Sequence, residues 1–139
     1  MNTGNIGRLS LAAGAKLHLV KPFGFELDDK RLKRAGLDYW KHLSLEVYES
    51  TEAFFEEHKN KKTAFFSSRA EKSYLEMEYD DDMFLIFGKE SVGLSENITE
   101  ANSEDLYKIP IHSLHIRSLN LANAVSVVVY EGIRQLGST

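Results

Sequence analysis

The stretch DMFLIFGKESVGL, residues 82–94, decides the reading of this chain: a continuous apolar run, bounded by the acids Asp80, Asp81 and Asp82, gives way at Gly88 to a polar loop. An unbroken apolar run between turn residues is the pattern of a strand covered on both faces, the usual state of strands in a parallel sheet. Open parallel sheets bind ligands in crevices beyond the carboxyl ends of their strands, which makes the loop leaving this strand a candidate binding loop. Alone the signal is weak, since Gly88 and Gly93 can serve only to turn the backbone. The loop is neither a dinucleotide fingerprint nor a P-loop, because GxGxxG and a terminal Gly-Lys-Ser/Thr are both absent.

Working outward, TAFFSS (63–68), LSLEVY (43–48) and KLHLV (16–20) read as strands. The segment 3–13 reads as a helix with Asn2 or Thr3 as its cap and Gly14 as its stop, and TEAFFEEHK (51–59) as a helix capped by Ser50 or Thr51. DDKRLKRAG (28–36) reads as a short basic helix with acids at its start and bases toward its end, which suits the helix dipole. Downstream, Ser95 begins a short helix and YKIPI (107–111) is a further strand. In the segment 119–136, Leu121, Val125, Val128, Gly132 and Leu136 recur at spacings of three and four, which favours helix over the strand suggested by Val127-Val128-Val129. Alternating helices and strands predict an α/β fold, a mostly parallel sheet flanked by helices.

The 139 residues suit a single domain. A net charge of -4 excludes a polycation that coats nucleic acid or an anionic membrane, so an RNA partner must use a local patch. With 42% hydrophobic residues and 2 prolines the chain is globular, and without cysteine it has no disulfides or thiolate metal sites, in keeping with a cytoplasmic protein. The longest strongly apolar stretch, 124–130, is far short of the about 20 residues that span a bilayer. The opening MNTGNIGR has no signal-peptide pattern.

Three polar segments stand at the ends of apolar elements: NTGNIGR (2–8), FGKESVGL (87–94) and IPIHSLHIRSLNLANA (109–124). In order and spacing they resemble the three motifs of the SpoU branch of knotted RNA 2′-O-methyltransferases. LHLVKPFGFELDDKRLKRAGLDYW (17–40) and VYEGIRQLG (129–137) are similar to the small, single-domain subgroup that methylates the wobble nucleotide of tRNA. The resemblance implies a parallel sheet with a C-terminal trefoil knot, an exception to the rule against threaded chains. It also implies S-adenosylmethionine, a homodimer and the tRNA anticodon stem-loop as substrate, with no metal and no membrane. A relative acting on ribosomal RNA, or a non-catalytic dimer that binds cofactor or RNA, is the alternative.

Carried over residue by residue, Phe66, Gly88, Ile109 and Ser118 occupy cofactor-contacting positions, with Gly93 and Leu119 as loop neighbours. Backbone groups can read the adenine edge while Phe66, Ile109 and Leu119 give it apolar walls. Arg8 matches the family's catalytic arginine. Because a guanidinium stays protonated in proteins, its expected role is to clamp a phosphate and stabilise developing alkoxide charge rather than to act as a base. Asn2 and Asn5 position RNA or cap the first helix. Glu90 accepts a proton or braces the knot, with bracing favoured, and Ser118 and Asn120 cap the last helix while also touching cofactor or RNA. Lys30, Arg31, Lys33 and Arg34 form the favoured phosphate patch, and Lys59, Lys61 and Lys62 a second candidate. Tyr39 or Trp40 stacks on a base or packs in the core.

His112 and His115 read as solvated loop residues rather than metal ligands, and Asp80, Asp81 and Asp82 as a solvated turn. Leu9, Leu11, Ala12 and Ala13 in the first helix, with Val128, Tyr130, Ile133 and Leu136 in the last, are the expected dimer surface. The family's first apolar strand, which leads into NTGN, is missing from this sequence, and about ten further residues rich in Ile, Leu and Val are expected upstream of Met1.

Overall fold

In the computed structural model, which describes residues 2–21, 38–89 and 92–137, the chain divides into two compact units, Met1–Asn60 and Lys61–Thr139. The first unit opens with α1 (Asn2–Ala13). It stops where Gly14 takes a φ of +72°, a left-handed conformation that glycine adopts without steric cost. β1 (Leu17–Val20) and β2 (Leu45–Tyr48) pair in parallel, with Leu17 opposite Leu45 and His18 opposite Glu46. A 3-10 turn at Asp38–His42 brings Trp40 into a small core with Leu17, against which Ile6, Leu43 and Leu45 pack. The core placement of Trp40 answers the choice between stacking and packing.

α2 (Thr51–Glu57) starts as expected from Ser50, whose hydroxyl accepts from the Ala53 amide, but it ends two residues early, with His58 as its C-cap. The expected basic helix at 28–36 lies outside the described residues.

The second unit holds β3 (Thr63–Phe66), β4 (Lys72–Ser73), β5 (Phe84–Phe87) and β6 (Leu106–Lys108) in a parallel sheet ordered β4-β6-β3-β5. β3 is central and carries the fully buried Phe65. The expected covering of DMFLIF on both faces is corrected: each residue of β5 is only half-buried, because β5 ends the ladder. The expected strand at YKIPI is corrected to Leu106–Lys108; pairing ceases before Pro110, which has no amide to donate.

α3 (Glu96–Ala101) begins at Ser95, whose hydroxyl accepts from the Ile98 amide. α4 (Leu121–Gln135) packs through Val128 into a core of Ala64, Phe66, Met77 and Tyr79. At Gly132 a Cβ would stand 2.6 Å from the Tyr79 ring, so only glycine allows this approach. Val128, expected in the dimer surface, is fully buried within its own unit and cannot contribute there. No helix among the described residues is long and apolar enough to cross a membrane.

Candidate active site

Three of the expected cofactor residues meet at one edge of the second sheet. Phe66 is the last residue of β3, Gly88 follows the last residue of β5, and Ile109 follows the last residue of β6. These strands are neighbours, and their register sets Phe66 opposite both Phe87 and Tyr107. The three positions therefore lie side by side at the carboxyl edge of a parallel sheet, where such sheets bind ligands. Phe66 stacks on Phe87 with ring centroids 4.7 Å apart and planes 13° off parallel. Ile109 is half-buried against the same core, so this edge rests on an apolar floor.

The loop leaving β5 folds back over its own start. The Gly93 amide donates to the Lys89 carbonyl at 2.7 Å, and Gly93 has a φ of +69°, so both glycines have a specific backbone reason. At Gly88 a Cβ would lie 2.1 Å from the Gly93 carbonyl carbon and 2.3 Å from the Leu94 nitrogen. Backbone cannot yield as a flexible side chain does, so this turn is a cradle that only a residue without a side chain can form. Apolar walls and main-chain groups at the strand ends fit a nucleoside such as that of S-adenosylmethionine, and the close crossing of Gly93 and Leu94 on Gly88 fixes the loop beside them.

Ser118 and Leu119 lie exposed in the segment before α4. Asn120, not Ser118, caps this helix: its side-chain oxygen accepts from the Ala122 and Asn123 amides at 3.0 and 3.4 Å. Arg8 is exposed on α1, as is Asn5. The side chain of Asn2, and Arg31, Lys33, Arg34, Lys30 and Glu90, lie outside the described residues.

In the second basic patch each lysine has an acidic partner. Lys59 pairs with Glu56 at 3.3 Å, Lys62 with Asp80 at 3.4 Å, and Lys61 with Asp82. A phosphate must displace those carboxylates, which weakens the case for this patch, although exposed pairs of this kind are worth little. Asp80, Asp81 and Asp82 are exposed at the turn before β5, as expected, and the first and last of them meet these lysines. His112 and His115 are exposed, as expected.

Sequence reasoning missed what holds α1. The Tyr39 hydroxyl donates to the Gly4 carbonyl at 2.6 Å, and Gly7 packs against Trp40, where a Cβ would come within 2.4 Å of the indole. The aromatic pair at 39–40 and the glycines of NTGNIG were the available signal. Burial pushes the Tyr39 hydroxyl above its ordinary pKa, and the charge of Arg8 partly opposes the rise.

The model of the SpoU rRNA Methylase family matches residues 1–130. The tRNA (cytidine(34)-2′-O)-methyltransferase of Escherichia coli (strain K12) is 42% identical over 137 residues, covering 98% of this chain and 87% of that protein. A solved structure concerned with 2-OH methylation of C/U34 on tRNA superposes with a TM-score of 0.89 at 43% identity, covering 98% of this chain and 88% of that one. An AdoMet-bound rRNA methyltransferase from Sinorhizobium meliloti shares the fold, with a TM-score of 0.82 at 24% identity over 97% of this chain and 52% of that one.

Proposed function

The chain belongs to the SpoU rRNA methylase family, and from that membership we propose that it methylates the ribose 2′-hydroxyl of the wobble nucleotide in tRNA with S-adenosylmethionine as donor. The observation that carries this reading is the alignment of Phe66, Gly88 and Ile109 at the carboxyl ends of three adjacent parallel strands. The extent of likeness to the E. coli wobble enzyme supports the substrate.

When bound, S-adenosylmethionine supplies a methyl group on a positively charged sulfur. Phe66 and Ile109, with Leu119, wall the adenine, while the loop fixed by Gly88 and Gly93 and the segment at Ser118 border the rest of the nucleoside. The attacking ribose oxygen must be held in line, and as its bond to the methyl forms and the carbon–sulfur bond breaks, leaving a neutral thioether, its proton passes to solvent. Arg8 clamps the adjacent phosphate and stabilises the developing alkoxide; a fixed positive charge aimed at forming negative charge is worth far more in a water-poor site than in solvent. Glu90 braces its loop. Asn120 fixes the start of α4, which holds Ser118 and Leu119 in place, and Asn2 with Arg31, Lys33 and Arg34 contacts the anticodon stem-loop.

The same reading includes a C-terminal trefoil knot, a homodimer and a cytoplasmic enzyme. The test incubates the protein with labelled S-adenosylmethionine and total unmodified tRNA, then maps the label. Label at the wobble ribose is the expected result; label only in ribosomal RNA offered in parallel, or in neither, overturns the substrate.

A further inference from the structure

In the first unit three titratable side chains from separate elements converge on one oxygen. The Tyr48 hydroxyl lies 2.8 Å from His18 Nδ1, 2.9 Å from His58 Nε2 and 2.6 Å from Glu46 Oε2. His18 and Glu46 face each other across the parallel ladder, and Tyr48 stands two residues beyond Glu46, on the same face of β2. His58 is delivered by the end of α2, where its amide donates to the Phe54 carbonyl at 3.1 Å. The cluster is therefore mounted on two strands and a helix end rather than on loops, the setting that holds ligands most accurately.

Its chemistry is that of a cation site. One donor atom each from His18, Glu46 and His58 lies within 4.8 Å of the others. Tetrahedral zinc with bonds near 2.0–2.2 Å sets its nitrogen and oxygen donors about 3.4 Å apart, so the donors close by up to about 1.4 Å and the Tyr48 hydroxyl yields its central position to the ion. Among the described residues, the carboxylates of Glu46 and Glu57, the latter 2.9 Å from His58 Nε2, face the ammonium of Lys16, which sits 2.5 Å from Glu46 Oε1. The buried Phe54 ring, 5.0 to 6.0 Å from the rings of His18, Tyr48 and His58, shields one side from water. Two imidazoles with oxygen donors and no thiolate suit a borderline ion of the zinc class, whereas calcium and magnesium prefer oxygen alone.

We propose that His18, Glu46 and His58, with the Tyr48 oxygen as fourth donor, bind one zinc-class divalent ion that staples β1, β2 and the end of α2 together. Four protein donors leave no open position, so the ion is structural and takes no part in methyl transfer.

The full chain, freed of metal by dialysis against a chelator, is titrated with Zn²⁺ in competition with a chromophoric chelator, and its thermal unfolding is followed with and without the ion. One ion per chain at micromolar affinity or tighter, with a raised unfolding midpoint, is expected. His18→Gln and His58→Gln should each weaken binding at least tenfold, while the His112→Gln/His115→Gln double variant keeps it. Glu46→Gln, at a half-exposed position that tolerates change, should weaken binding with an unchanged circular dichroism spectrum, which covers the case of a histidine variant that does not fold. No binding by the parent chain, loss of binding in the double variant, or unchanged binding in Glu46→Gln and His18→Gln overturns the site and leaves a hydrogen-bonded hub around Tyr48.

Discussion

The Tyr39 hydroxyl donates to the Gly4 carbonyl across 35 residues of sequence, at 2.6 Å. In an α-helix the carbonyl of residue 4 is the acceptor for the amide of residue 8, so this tyrosine shares the acceptor that fixes the backbone of Arg8. Tyr39 thereby acts on the proposed chemistry through the helix and is a positioning residue. Tyr39→Phe keeps the ring and removes one hydrogen bond, which is worth about 0.5–1.5 kcal/mol. Its kcat should fall while KM for S-adenosylmethionine holds. An unchanged kcat in a variant with a lowered unfolding midpoint would reduce Tyr39 to a stabilising role only.

Arg8→Ala separates binding from chemistry. Arg8 is exposed on α1 and its assigned partner is the substrate phosphate rather than the cofactor, so cofactor affinity measured by calorimetry should be nearly intact. Methyl transfer should fall roughly 100-fold or more, the scale seen when one transition-state charge stabiliser is lost. Lost affinity with turnover retained at saturation would contradict the assigned role.

Gly88→Ala has the opposite signature. Its methyl would meet the Gly93 carbonyl carbon at 2.1 Å, and relief requires the loop to open. Cofactor affinity should drop first and most, while Val92→Ala, at a 75% exposed position in the same loop, should leave it unchanged. Equal affinities in the two variants would mean that the closed form of this loop plays no part in binding the cofactor.

The parts of this architecture set by local chemistry were legible in the sequence. Ser50 and Ser95 cap their helices as their side chains dictate, Gly14 stops α1, and the three-and-four spacing of Leu121, Val125 and Val128 outweighed the β-branched run beside it. What depends on pairing was not. β4 is two residues long and carries no periodicity, and the half-buried state of β5 follows from its place at the end of a ladder, which composition does not encode. The resemblance supplied Phe66, Gly88 and Ile109, but their adjacency comes from strand order. His18 and Glu46 are brought together by the register of β1 on β2 and His58 joins them from the end of α2, neither of which the spacing of these residues in the sequence encodes.

The apolar positions left exposed on α4 bear on assembly. Val127, Tyr130 and Leu136 are 36%, 47% and 42% exposed, and Leu11 on α1 is 38% exposed. With Val128 buried internally, these are the residues available to a partner copy. Light scattering at micromolar concentration should give twice the chain mass, and Tyr130→Lys should shift it toward the monomer by setting a charge in a desolvated contact. A monomeric mass for the parent chain would refute the dimer.

Glu131 gives the acid limb of stability a named contributor. Arg134 donates to both of its oxygens, at 2.7 and 2.8 Å, and Gln135 donates at 3.0 Å, which holds the carboxyl at about 2 against an ordinary 4.5. Above 4.5 the group is ionised whether folded or unfolded, and the full stabilisation is present. As pH falls below that value the unfolded chain takes up the proton while the folded chain resists, so the contribution shrinks steadily until the folded carboxyl itself titrates near 2. Glu131→Gln removes the difference. The variant should unfold at a lower temperature than the parent at about pH 6, and the gap between them should narrow by about pH 3. Because Arg134 is 71% exposed, salt should also narrow the gap at the higher pH. A gap that is constant with pH and salt would mean that the glutamate stabilises α4 by packing alone.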